Sequence, residues 1–372
     1  MPFKNPVLPS IYFTVTNDLS YDQRMIRICT SLAKAGFIVT LVGRKMSGSI
    51  PLRQMPFKQK RLYCFFEKGK LFYAEYNLRL FFYLLFKKMD GICAIDLDTI
   101  IPCYYISKLN KIKRILDAHE YFSQQKEVLS RKHIYKFWQR VEKKYIPLYP
   151  NGYTVGSYIA ASFRQQYGVT YEVIRNLPVL KEYSKQATGL QNRKIVLYQG
   201  AVNESRGLEY LIPAMKNIDA ELHIYGDGNF MDKTKKLIAI NNLESTVFIK
   251  GKLLPDQLDT ITSQATIGIN LVENTGLNQY YSLANKFFDF IQHEIPQVTM
   301  KYPEYEQVNN QYEVAVLISD LKEDNIENAI NRLLKSDEVY DSLRKNCGEA
   351  KKVFNWQLEE KKLVTFYKKI FG

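Results

Sequence analysis

Residues 194–212 read KIVLYQGAVNESRGLEYLI, and their order sets the reading of the whole chain. Five β-favouring residues run up to Gln199, Gly200 breaks the run, a polar turn follows, and an apolar helical pattern begins near Leu208. This strand, glycine turn and helix unit then recurs. "ELHIYG", "TVFIKG" and "TIGINL" are further short strands, each followed by a helical stretch. Upstream the same alternation runs through "IYFTVT", "FIVTLVG", "ICAID", "RILDA" and "YTVG". Strands that alternate with helices predict parallel sheets covered on both faces. Two such series, separated by the weakly patterned "LKEYSKQATGLQNR" at 180–193, predict two doubly wound α/β domains, over 1–179 and 194–355, with a final helix at about 356–372 returning to the first. Ligands of such sheets bind beyond the carboxyl ends of the strands, so two of them facing each other would form a cleft.

At 372 residues, with 46% hydrophobic and 13% aromatic residues, the chain can bury two cores. Its formal charge of +14 is unevenly spread: residues 1–178 carry 28 Lys and Arg against 12 Asp and Glu, and the remainder carries 24 against 26. The basic first half points to an acidic acceptor or a membrane surface. Nucleic acid is not implied, because no module that reads it is present. Five cysteines without a Cys-x-x-Cys pair fit free thiols in a reducing, cytoplasmic setting. "MPFKNPVLPS" lacks the charged and apolar regions of a secretory signal. "LRLFFYLLF" at 78–86 contains an arginine and is too short to span a bilayer, although Lys87 and Lys88 beside it would suit interfacial attachment.

In the first half, "TVTNDLSYDQRMIR" turns from strand to helix. Ser20 and Gln23 match a capping box, predicting a helix from Tyr21. Arg24 then lies near a helix N-terminus, where a cation needs an anion, whether Asp18, Asp22 or an acceptor group. No Gly-x-Gly-x-x-Gly follows this strand, which counts against a dinucleotide cofactor. "AIDLDTII" places Asp96 and Asp98 at a strand end, with Asp98 the expected N-cap of the next helix. Two carboxylates alone make a weak metal site, so no metal is expected. "RILDAHEYF" puts His119 just past a strand's carboxyl end.

In the second half, Gly200 and the Arg206 turn resemble an anion site, and "IYGDGN" at 224–229 repeats the strand-to-glycine turn. "YSLANKFFDFI" at 281–291 predicts a helix carrying Ser282, Lys286 and Asp289 on one face and Leu283, Phe287, Phe290 and Ile291 on another. Amides near Ser282, with Lys286, would hold a diphosphate, and Asp289 would accept from ribose hydroxyls. A plain amphipathic helix with a Lys286–Asp289 pair is the competing reading.

These motifs, in this order, resemble the retaining glycosyltransferases of family 4, of GT-B fold, and a subgroup with a Ser-Leu-x-Asn-Lys helix in particular. "GAVNESRGLEYL" is similar to that family's Gly-Arg…Lys-Gly turn, and "YSLANKFFDFIQHEIPQV" to its Glu-x7-Glu helix. The resemblance implies His119, Arg206 and Lys286 as catalytic. It implies Gly200, Asn203, Gly226, Asp227, Ser282, Asn285 and Asp289 as donor-binding, and Asp18, Ser20, Arg24 and Asp96 as acceptor-binding. Two positions depart from the pattern: Ala201 replaces an arginine and Tyr281 the first glutamate. The implied donor is a nucleotide diphosphate sugar, UDP before GDP, used without metal or other cofactor. The implied acceptor is a glycan or lipid-linked intermediate of bacterial surface polysaccharide, met in the cytoplasm, with peripheral attachment to the inner membrane. A nucleotide-sugar epimerase and a non-catalytic nucleotide- or polyanion-binding protein are the rival readings.

Overall fold

The computed structural model describes residues 8–20, 22–181, 194–253 and 255–372; the expected linker at 180–193 lies almost wholly outside them. The chain divides into two compact units, Met1–Asn176 with Glu359–Gly372, and Leu177–Leu358.

The first unit is built on seven parallel strands, β1 (Ser10–Thr14), β2 (Ile38–Lys45), β3 (Lys58–Tyr63), β4 (Gly91–Ile95), β5 (Lys113–Ala118), β6 (Asn151–Thr154) and β7 (Glu172–Val173), in the order β3-β2-β1-β4-β5-β6-β7. The winding reverses between β1 and β4, so the carboxyl ends of those strands flank a crevice. All five residues of β4 are buried, which is why it reads as a continuous apolar run rather than an alternating one. Phe13, Tyr153 and Tyr367 pack in this core, the last from the helix Trp356–Phe371, with the Tyr153 and Tyr367 hydroxyls 3.2 Å apart.

The second unit has six parallel strands, β8 (Ile195–Gln199), β9 (Glu221–Tyr225), β10 (Val247–Gly251), β11 (Ile267–Asn270), β12 (Gln297–Met300) and β13 (Ala315–Ile318), in the order β10-β9-β8-β11-β12-β13. Its reversal falls between β8 and β11, next to the stretch that opens the sequence reading. Both sheets are thus doubly wound α/β, as the alternation predicts. No helix among the described residues is long and apolar enough to cross a membrane.

Candidate active site

In the first unit, the chemistry gathers at the ends of β4 and β5. Asp117, near the end of β5, is completely buried, and Arg24 Nη2 meets its Oδ1 at 2.9 Å. His119, two residues on, therefore emerges on the same side of the strand, and its Nε2 lies 2.9 Å from Asp117 Oδ2. Burial alone would lower the His119 pKa, but the Asp117 carboxylate outweighs it and holds the imidazole above its ordinary value. Burial would likewise raise Asp117, yet Arg24 and then His119 hold it below the usual carboxylate range.

Asp96 positions the loop that carries the histidine. Its Oδ1 accepts the backbone N–H groups of His119 at 2.7 Å and Glu120 at 3.2 Å. Asp96 adopts φ 51°, a conformation uncommon for a non-glycine residue and one that aims the carboxylate at those amides. Burial, opposed by His119 and reinforced by Glu120, Asp98 and Asp117, pushes its carboxyl up to about 8. Asp96 is thus a loop-positioning residue.

Other expectations for this unit need correction. The expected helix start at Tyr21 lies outside the described residues; the helix runs from Gln23, and its N-cap is Asp22, whose Oδ1 accepts from the Met25 amide at 3.1 Å. Ser20 cannot serve as the cap because its hydroxyl is bound to Arg61, while its amide donates to Asp18 Oδ1 at 2.9 Å. Arg61 and Ser49 also hold Asp18; although burial opposes it, these partners keep its pKa low. Arg24 is 4% exposed, with Nη1 donating to the Ile174 carbonyl at 3.1 Å, so it faces the core and no acceptor. Asp98 does not cap the helix Ile100–Asn110: it lies in the short turn Leu97–Thr99 and accepts the Thr16 hydroxyl at 2.9 Å. Asp96 and Asp98 therefore point to different partners. Among the described residues, no group of three or more His, Cys, Asp or Glu side chains is placed to hold a metal.

In the second unit, two glycine turns interlock. Gly200 N donates to Tyr225 O and Val202 N to Asp227 O, each at 3.0 Å. Gly200 has φ 123°, open mainly to glycine, and a Cβ on Gly226 would fall 1.8 Å from the Gly200 carbonyl oxygen. Asn203 Oδ1 accepts from Asn229 N at 3.1 Å, and Asp227 Oδ1 from Gly228 N at 2.8 Å. These two side chains hold the turns in shape.

Arg206 lies in the turn before the helix Leu208–Ala214, because Gly207, at φ 77°, is the cap. Ser205 next to it accepts from Glu273 N at 2.9 Å, tying the turn to the loop after β11 and so to the switch point.

The 281–291 stretch folds differently from its periodicity. A four-residue turn of helix, Leu277–Tyr280, ends before it, Ala284 is extended, and the helix proper is Asn285–Gln292. Ser282 is thus off the helix and shares no face with Lys286 and Asp289. The Tyr305 hydroxyl explains the break, taking the Ala284 amide at 3.0 Å and lying 3.4 Å from Ser282 Oγ. Phe287, Phe288, Phe290 and Ile291 are buried, and Leu283 is only partly so. Lys286 Nζ lies 4.1 Å from the Tyr198 ring centroid. Burial first, and the nearby Arg206 second, push its pKa down to about 7. Among the described residues no carboxylate forms an ion pair with Lys286 or Arg206. Asp289 Oδ2 accepts from Gln199 Nε2 at 3.3 Å, at the end of β8. Sequence reasoning missed Asp117, Tyr198 and Gln199. An Asp inside an apolar strand two residues before His119 is the one of these the pattern itself signals.

Residues 181–353 match the family model described as glycosyl transferases group 1. This replaces the resemblance to family 4 and its Ser-Leu-x-Asn-Lys subgroup, because group 1 is the model that residues 181–353 fit. Sucrose-phosphate synthase from Thermosynechococcus elongatus superposes with a TM-score of 0.79, 17% identity, and coverage of 98% of this chain and 99% of that one. Anabaena HepE in complex with UDP and glucose gives 0.76 and 12%, covering 97% and 100%. WaaG, a glycosyltransferase involved in lipopolysaccharide biosynthesis, gives 0.73 and 12%, covering 95% and 98%. No curated protein matches the chain significantly in sequence. The fold is GT-B. The chain is a glycosyltransferase-type enzyme.

Proposed function

We propose that the protein is a retaining glycosyltransferase that moves a sugar from a UDP-sugar to a glycan or lipid-linked acceptor in bacterial surface polysaccharide assembly. The second unit would bind the donor and the basic first unit the acceptor, at the cytoplasmic face of a membrane. The observation that carries the donor assignment is the pair Arg206 and Lys286: two cations beside the second sheet's switch point, without a carboxylate partner among the described residues. A diphosphate supplies the missing negative charge. HepE, of the same fold, has been solved with UDP and with UDP-glucose, which supports UDP as the nucleotide here.

In this reading the acceptor oxygen bonds to the anomeric carbon on the face that the diphosphate leaves, the carbon–oxygen bond to the diphosphate breaks, the hydroxyl proton passes to the departing phosphate oxygen, and Arg206 and Lys286 stabilise the charge that develops there. These side chains take the place of a metal ion. Asp289 and Asn285 would bind the nucleoside end. Gly200, where an added Cβ would meet nothing within 4 Å, would leave the backbone bare for close approach of the phosphates, and Gly226 lets the second turn pack against it. His119, held by Asp117 and Asp96, would contact the sugar in transit.

The test is thermal stabilisation by UDP, GDP, ADP and their sugar conjugates, with and without chelator, on wild type and Arg206→Ala. Selective stabilisation by UDP compounds, indifferent to chelator and lost in the variant, is expected. A response to no nucleotide would end the donor assignment. Proton NMR of the product's anomeric configuration tests retention.

A further inference from the structure

Beside the first unit's switch point lies a cavity of about 700 Å³, within the range of roughly 300–1,000 Å³ common to small-molecule sites. Its walls are mainly Phe72, Tyr73, Leu97, Ile101, Phe137 and Trp138, carried by the helices Gly69–Leu85, Ile100–Asn110 and Lys132–Tyr145 and the turn after β4. Edge-on contacts of Trp138 with Tyr73, Phe122 and Phe137, at 5.5, 4.7 and 5.2 Å between centroids, fix that wall. Its charged residues stand at the exposed rim, and the polar side chains of the wall proper are Asn77 and Asp98. The Asn77 amide is spent on the Tyr73 and Asp98 carbonyls, and the Asp98 carboxylate is held by the Thr16 and Tyr73 hydroxyls. A sugar ring needs several free polar partners around it, whereas these wall groups are spent on one another and the lining suits hydrocarbon.

The mouth is different in kind. Lys68, Lys70 and Arg131 stand there, exposed, against the carboxylates of Glu67 and Glu127. On the other flank of the helix Gly69–Leu85, Leu71, Leu78 and Phe82 are 59%, 59% and 54% exposed, an apolar stripe continuous with the cavity's own helix. An amphiphile with an anionic head, approached at a lipid surface, fits both features.

We propose that this cavity binds the hydrocarbon chain of a lipid-phosphate-linked acceptor, with the phosphate at the Lys68, Lys70 and Arg131 mouth. The inference rests on the glycosyltransferase reading for calling the ligand an acceptor, and it adds the chemical class of that acceptor. Binding itself is testable without turnover. Trp138 lines the cavity and the only other tryptophan, Trp356, belongs to the second unit.

The experiment is a fluorescence titration of the full-length chain with farnesyl phosphate below its critical micelle concentration, alongside inorganic phosphate and a free disaccharide. Wild type and Trp356→Phe are both used, so the tryptophan signal is assignable even if one preparation folds poorly. A saturable change with farnesyl phosphate, none with inorganic phosphate, and at least a tenfold weaker response in Ala74→Phe, whose added ring stands at the cavity rim, is the expected result. UDP stabilisation, measured on the same samples, should be unchanged by Ala74→Phe. No saturable response, an equal response in Ala74→Phe, or a response to disaccharide alone would overturn the proposal. Loss of the UDP response with farnesyl phosphate binding intact would instead count against the donor assignment.

Discussion

Lys286 Nζ sits 4.1 Å from the centroid of the Tyr198 ring, so a cation on the helix Asn285–Gln292 rests on an aromatic face at the end of β8. The ring's negative face favours the ammonium, but burial and Arg206 outweigh it and leave the lysine near pKa 7. The free site therefore holds less positive charge than its two cationic side chains could supply, and an incoming diphosphate would restore it.

Donor binding should accordingly take up a proton. Above about pH 7 the UDP affinity is expected to fall by up to about tenfold per pH unit, the limit for one linked proton. Calorimetry in buffers of different ionisation enthalpy measures the uptake, and Lys286→Met should abolish it. Stability carries the same signature with a definite sign. The folded pKa lies below the unfolded one, so the penalty is complete below pH 7 and disappears as pH rises to about 10.5. Wild type should gain on Lys286→Met in melts taken from pH 7 to 10, and parallel curves would refute the assignment.

The parts of this architecture that were readable from sequence are those that depend on local periodicity. Both doubly wound sheets follow from strand and helix alternation, and His119 from its place past a strand end. What periodicity could not reveal was set by long-range partners. Arg24 looked like a ligand for an acceptor because its counter-ion, Asp117, is 93 residues away. Ser282 looked helical because the Tyr305 hydroxyl that ends the pattern comes from another helix. Asp98 and Ser20 looked like caps, and each is drawn off by one distant side chain, Thr16 and Arg61 respectively.

Asp117 serves both the core and the histidine, and the two roles are separable. Asp117→Asn leaves the Arg24 guanidinium buried without its charge partner, which typically costs about 3–5 kcal/mol. Urea unfolding should show a loss of that order, with transfer slowed as His119 loses its orienting carboxylate. The double variant Arg24→Met, Asp117→Leu should recover much of the stability, since apolar replacements of a buried pair are often tolerated. Transfer activity should stay low in the double variant. Recovery of activity along with stability would show that Asp117 acts only in the core.

Interlocked turns make Gly226 a steric test of the proposed donor site. Gly226→Ala puts a methyl 1.8 Å from the Gly200 carbonyl oxygen, so the two turns must part. A stability loss of about 1–3 kcal/mol is expected, as for other overpacked sites, together with weaker UDP binding. Gly48→Ala, where an added Cβ meets nothing within 4 Å, is the matched control and should leave both unchanged.

The first unit also carries an exposed apolar edge next to its positive charge. On the helix Gly69–Leu85, Leu78 and Phe82 lie four residues apart and project together, with Phe86, 81% exposed, one turn further. Lys87 follows directly, its Nζ 4.9 Å from the Tyr83 ring centroid, where a long side chain can keep its head at the polar boundary while its stem covers apolar surface. Monomer surfaces rarely gather large apolar residues this way without a partner. Sedimentation with phosphatidylglycerol vesicles should capture the protein at low salt, and about 0.5 M salt should release most of it by screening the lysines. Phe82→Glu with Phe86→Glu removes the inserting rings and adds two repelled charges, so binding should be lost at every salt concentration while UDP stabilisation is retained. Vesicle binding that survives this double substitution would move the membrane contact to another face of the basic unit, and no binding by wild type at low salt would remove it altogether.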